Sequence, residues 1–181
     1  MTRRTATRTA LVTLGLLTLA ACVVNLSFSM DKANVALKSD AGATTLTQQS
    51  ILVSLGDYKE ITDHKDNIKS LDLDYLDITV TSVDTPTNTA STVSGTVSLR
   101  KAFTDPATND ILVGTITAVP IVVNSKVRIN GTPVLDAFLL AQLKSAGSFY
   151  VIVSGSIDHG VASATVDLNL HASIGYDAGL F

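Results

Sequence analysis

Apolar and polar residues alternate at period two through segment after segment of this chain, a pattern that suits little besides half-buried β-strands. Val24, Leu26, Phe28 and Met30 are interleaved with Asn25, Ser27 and Ser29. The alternation returns between residues 71 and 80, 93 and 99, 111 and 119, 123 and 129, 149 and 155, and 166 and 172, with a short apolar run over 50–55. Within 71–80 the apolar set changes parity at Tyr75-Leu76, which predicts a β-bulge there. Turn-forming residues punctuate the segments: Asp40-Ala41-Gly42, the stretch 84–89 with Pro86, Asp105-Pro106, Asn109-Asp110, Asn130-Gly131 and Asp158-His159-Gly160. Residues 31–47 are small and polar and read as a connection.

Two stretches read as helices instead. In the first, Asp57 is placed as a cap with Glu60 three residues on, and Tyr58, Ile61 and Ile68 share a face. In the second, Thr132 is the cap, Pro133 occupies the first turn and Gly147 lies past the end. There Val134, Leu135, Phe138, Leu139, Ala141 and Leu143 are expected to be covered, with Gln142 a polar intruder among them. The remaining stripe of Asp136, Leu140 and Lys144 leaves Leu140 between two charges, an expected contact for a partner. Seven or eight short strands with two short helices predict a mainly β fold, an antiparallel β-sandwich, with a small β-barrel as the alternative. The stretch from Thr115 to Ile174 resembles the late-embryogenesis-abundant domains of the water-stress type, through a helix followed by Tyr150-Val151-Ile152-Val153-Ser154-Gly155-Ser156-Ile157. That resemblance implies an immunoglobulin-like sandwich of non-enzymatic role. The family's Asn-Pro-Asn signature is missing here.

The first 22 residues follow another rule. Arg3, Arg4 and Arg8 precede an apolar stretch from Ala10 to Ala21, and Leu19-Ala20-Ala21 leads directly into Cys22. Twelve apolar residues are too few to span a bilayer core of ~30 Å in helix, which takes about 20. The segment is similar to the signal peptides of bacterial lipoproteins. That resemblance implies cleavage after Ala21, acylation of Cys22, and a single domain over 22–181. Arg3-Arg4 also resembles a twin-arginine signal, but Thr5, Ala6 and Thr7 follow where apolar residues belong. Cys22 is the only cysteine, so the domain has no disulfide to form, and acylation would consume a thiol that export would otherwise leave exposed to oxidation. Val23 in the next position favours the periplasmic face of the outer membrane where a cell has two membranes.

Beyond residue 21 the chain carries 10 basic against 16 acidic residues, so its net charge is −6. That balance offers no footprint for phosphate backbones, and nucleic acid is not an expected partner. Few aromatics and no tryptophan leave no stacking platform for bases or sugars. Asp72, Asp74 and, beyond the parity change, Asp77 share one face of a predicted strand, where carboxylates at alternate positions, ~7 Å apart, could supply part of a calcium shell. The spacing of a calcium loop is absent, and a solvated face is the plainer reading. Glu60 and His64 lie one helical turn apart, as an exposed pair or two of a metal's ligands. Ser154 and Ser156 near His159 fall on a hairpin, where turn chemistry accounts for them; no nucleophile elbow, phosphate loop or nucleotide fingerprint occurs. The sequence therefore predicts a protein without catalytic residues or cofactor, held to a membrane through Cys22 and binding another envelope protein. A carrier that holds a lipid or other apolar small molecule between its sheets is the alternative. Because the strand pattern starts at Val24, the domain is expected to sit close to the lipid, with few acids in the loops at that end.

Overall fold

The computed structural model describes residues 23–179, so Cys22 and the preceding segment lie outside the described residues. Eight strands form two four-stranded antiparallel sheets: β1 (Val23–Lys38), β2 (Gln49–Ser54), β3 (Ile68–Val83), β4 (Thr92–Arg100), β5 (Ile111–Pro120), β6 (Lys126–Asn130), β7 (Ser148–Ile157) and β8 (Ser163–Asp177). The first sheet has the order β1-β8-β3-β6 and the second β2-β7-β4-β5. The fold is a β-sandwich, and no closed barrel forms. The inward sets predicted from alternation supply the core: Phe28 and Met30 of β1, Leu71, Leu73, Leu76 and Ile78 of β3, Val97 and Leu99 of β4, Phe149 and Val151 of β7, and Val166 to Ile174 of β8 at every second position.

Several local expectations are corrected. Residues 31–38 continue β1 rather than forming a connection; a bulge between Lys32 and Val35 hides the alternation, with Asn34 at φ +59° and its N–H donating to the Asp167 carboxylate at 2.9 Å. The first helix shrinks to a 3-10 turn (Leu55–Asp57) and a single α-turn, α1 (Lys59–Thr62), broken by extended backbone at Tyr58. Asp57 therefore caps nothing, Ile68 belongs to β3, and Glu60 and His64 do not share a helix. The strand expected from Val123 begins only at Lys126, because residues 122–125 turn tightly, with Asn124 at φ +72°.

The second helix, α2 (Pro133–Lys144), packs against β3 of one sheet and β5 and β7 of the other. Its buried face is Leu135, Leu139, Gln142 and Leu143, narrower than expected. Val134 is 61 % exposed and Ala141 is exposed, whereas Leu140 is half-buried and packs on the core. Leu140 is thus not the isolated exposed leucine that the wheel implied; beside it Phe138 lies edge-on to Phe149, 6.2 Å between centroids. Gln142 is 4 % exposed, and its Oε1 has no hydrogen-bond partner among the described residues.

Candidate functional site

The outer face of the first sheet gathers most of the charged strand residues. The parity change in β3 falls one step earlier than expected, between Leu73 and Tyr75, so Asp74 is the extra residue. Two contacts from the α2 end hold that bulge: the Gly131 N–H donates to the Asp74 carbonyl at 3.0 Å, and the Leu73 N–H donates to the Asp136 carboxylate at 2.9 Å. Burial raises the Asp136 pKa, helped by Asp72 and Asp74 and opposed by that hydrogen bond. With the bulge at Asp74, Tyr75 turns outward and Leu76 inward.

Three flat side chains then stack across β6, β3 and β8. The Arg128 guanidinium lies 3.6 Å from the Tyr75 ring centroid, and Tyr75 stacks on His171 at 4.7 Å and 7°. His171 Nδ1 meets the Asp74 carboxylate at 2.9 Å, and the Ser173 hydroxyl donates to the same carboxylate at 3.3 Å. Arg128 also donates both arms to Asp77 at 2.7 Å, and Lys126 joins them at 2.7 Å. Asn169 donates to Asp31 beside them. The Arg128 hydrogen bonds hold the Asp77 carboxyl down at about 2, against the opposing effect of burial and with help from Lys126.

This arrangement changes the reading of the acidic row. Asp77 has its oxygens on Arg128 and Lys126, and Asp74 on His171 and Ser173, so neither is free to join Asp72 around a cation. Among the described residues no three His, Cys, Asp or Glu side chains are placed to hold a metal. His64 stacks on Tyr176 at 3.8 Å, far from a ligand's role beside Glu60. The Ser154 and Thr96 hydroxyls are bonded to each other at 3.1 Å. Asp158 accepts from the Ser91, Thr92 and His159 N–H groups, which outweigh the upward effect of desolvation and hold its carboxyl at about 2. Its role is to anchor a turn.

Asp77 yields a test. Its folded pKa lies below the ordinary 3.8, so the stability it contributes is complete above pH ~4 and is lost as pH falls through about 2. Arg128 and Lys126 are half exposed, so solvent screening reduces the contribution to about 1 kcal/mol. Asp77→Asn is expected to lower the urea unfolding free energy by that amount at pH 7 and by well under half of it near pH 2. A loss of equal size at both pH values would place the effect in packing rather than charge.

Between the sheets lies one further feature, a cavity of ≈ 40 Å³ lined by Ile78, Val80, Val93, Gly95, Ile116 and Val127 among others. Ligand pockets run to about 300–1,000 Å³. The cavity has no polar group arranged to orient a ligand beyond Ser125 and Ser154 at its margin.

The stacked Arg128, Tyr75 and His171 were not visible as a site in the sequence. Placing the bulge at Asp74 instead of Tyr75-Leu76 would have turned Tyr75 onto the polar face, but only the sheet order brings Arg128 and His171 to it. No helix among the described residues is long and apolar enough to cross a membrane. No family model matches the chain, and no curated protein sequence does. Among solved structures, Desmodium yellow mottle tymovirus aligns at TM-score 0.38 and 11 % identity, over 97 % of this chain and 99 % of that one. Turnip yellow mosaic virus aligns at 0.39 and 10 %, over 99 % and 93 %. The decameric BFDV capsid protein aligns at 0.41 and 11 %, over 84 % and 98 %. Likenesses of this size carry neither family nor function to this chain.

Proposed function

We propose that this protein is an envelope lipoprotein, anchored through an acylated Cys22, whose sandwich is a non-enzymatic module for binding another protein. The observation that carries the reading is Leu19-Ala20-Ala21-Cys22 behind three arginines, with β1 already paired at Val23, opposite Asp177. A domain whose first strand begins one residue after its lipid is held at the membrane surface, since one residue reaches under ~4 Å. The size of the inter-sheet cavity supports protein binding over the carrier alternative: ≈ 40 Å³ is far less than a lipid needs.

The expectation of few acids at the anchored end does not hold. Asp177 pairs with Val23, its N–H donates to the Asn67 carbonyl, and the turn ending there carries Asp63 and Asp66 with Lys65. Lys144 of α2 adjoins Lys65 and Asp66, so the end is mixed in charge rather than depleted of acids. Such a surface suits close approach to headgroups without strong attraction to them.

The intact mass of the detergent-extracted chain tests the proposal. A chain starting at Cys22 and carrying acyl groups is the expected result; one still starting near Met1 refutes it.

A further inference from the structure

The two outer faces of the sandwich differ sharply in charge. The strands of the first sheet carry Asp31, Lys32, Asp72, Asp74, Asp77, Lys126, Arg128 and Asp167, among others. The four strands of the second sheet carry one charged residue between them, Arg100. Arg100 is itself neutralised, donating twice to Asp110 at 2.7 and 2.8 Å with both side chains nearly buried. What the second sheet shows to the outside is serine, threonine and large apolar groups. Leu52 of β2 is 46 % exposed and Leu112 of β5 is 55 % exposed; Phe103, 63 % exposed, leans on Tyr150 of β7 at 5.9 Å. Ile152 lies on the same side, in register with Ser50 and Ser98 and outside the core between the sheets, but its neighbours cover it.

We infer that the outer face of β2-β7-β4-β5 is a contact surface for a second copy of this chain. Electrostatics favours this face over the first sheet for such a pairing. The domain is acidic, so two copies meeting through the first sheet would set Asp31, Asp74 and Asp167 against their counterparts and strip water from ion pairs. Through the second sheet the strands bring no unpaired charge to desolvate, and only Lys101 and Asp105 flank the face, beside Phe103. The area suffices as well. Strands of six, nine, ten and ten residues, ~4.8 Å apart with ~3.3 Å per residue, give a footprint of about 550 Å² per copy. Two such faces bury about 1,100 Å², just above the ~1,000 Å² that a specific interface has to clear. Leu52, Leu112 and Phe103 supply the apolar groups such an interface uses. The inference does not depend on whether Cys22 is acylated.

Cross-linking of the full chain with a short bismaleimide tests it. Ser98→Cys, at the centre of the face, is expected to give dimer in at least about tenfold higher yield than Ser29→Cys on the exposed part of β1. The parent chain run alongside reports any reaction of Cys22 itself, which separates failure of this inference from failure of the anchor. Adding Leu112→Asp, or Leu52→Asp with Leu112→Asp, should return the yield to the Ser29→Cys level with the melting temperature unchanged. Equal yields at Ser98 and Ser29, or dimer that persists undiminished in the aspartate variants, overturns the inference. An adduct with the mass of a different protein overturns the second copy as occupant.

Discussion

Gly131→Ala is expected to destabilise the protein by about 3 kcal/mol, equivalent to a melting temperature lower by roughly 6–12 °C. A Cβ on Gly131 would stand 1.5 Å from the Leu73 carbonyl oxygen and 2.6 Å from its carbon, both main-chain atoms that no rotamer can move aside. The position is where β6 hands over to α2, and the Gly131 N–H is bonded to the Asp74 carbonyl at the bulge. Relief would require shifting the bulge or the helix start, and either motion breaks the Asp136 contact to the Leu73 N–H. Gly56→Ala is the control, since nothing lies within 4 Å of its Cβ, and its effect should stay within about ±0.5 kcal/mol. If the two variants unfold at the same urea concentration, the close approach is not a constraint on the fold. The bulge also faces Tyr75 outward, so partial rescue with a displaced bulge would be read as loss of the Arg128–Tyr75–His171 stack.

The strands were legible because alternation survives wherever a strand has one wet and one dry face. Phe149, Val151 and Val153 on β7, and Val166, Leu168 and Leu170 on β8, read out their inward direction without ambiguity. Legibility fails at bulges, which insert a residue and reset the parity. Between Lys32 and Val35 the reset made eight strand residues look like a loop, and at Asp74 it misplaced the slip by one position. Short helices fail for a different reason. A single turn such as Lys59–Thr62 makes too few backbone hydrogen bonds to stand alone and is set by its surroundings, here Ile61 buried against the sandwich. For α2 the ends were right in kind: Pro133 starts it, and Gly147 at φ +69° donates its N–H to the Gln142 carbonyl beyond its last residue. Its rotation was not legible, since apolar residues cover most of the wheel and the packing against β3, β5 and β7 decides which of them are covered.

The sites divide along the same line. Asp72, Asp74 and Asp77 were seen as a row, but their partners Arg128 and His171 lie on strands 51 and 97 residues away in sequence, and only the sheet order brings them together. The uncharged second sheet, by contrast, could have been read directly. Its strands contain no Asp, Glu or Lys, which becomes meaningful once those strands are known to share one face. Sequence shows which strand is uncharged; topology shows that four of them are adjacent.

Cys22→Ser is expected to abolish stable membrane attachment of the mature domain while leaving its unfolding unchanged. In the proposed reading the thiol is the acylated group, and two or three chains at about 0.8 kcal/mol per buried methylene hold the protein almost permanently. Serine keeps the size and loses the nucleophile. What is left to hold the chain is the apolar stretch from Ala10 to Ala21, about eight residues short of a bilayer-spanning helix. The variant should therefore accumulate at the mass of the uncleaved chain and leave the membrane fraction in an alkaline wash that retains the parent. The fold should not notice, because the first backbone pair is Val23 with Asp177 and the core begins further along, with Phe28. A shifted urea midpoint would mean that residue 22 takes part in the sandwich. A Cys22→Ser chain that is still cut before residue 22 and still resists the wash would remove the anchor altogether, and with it the reason to place this domain at a membrane.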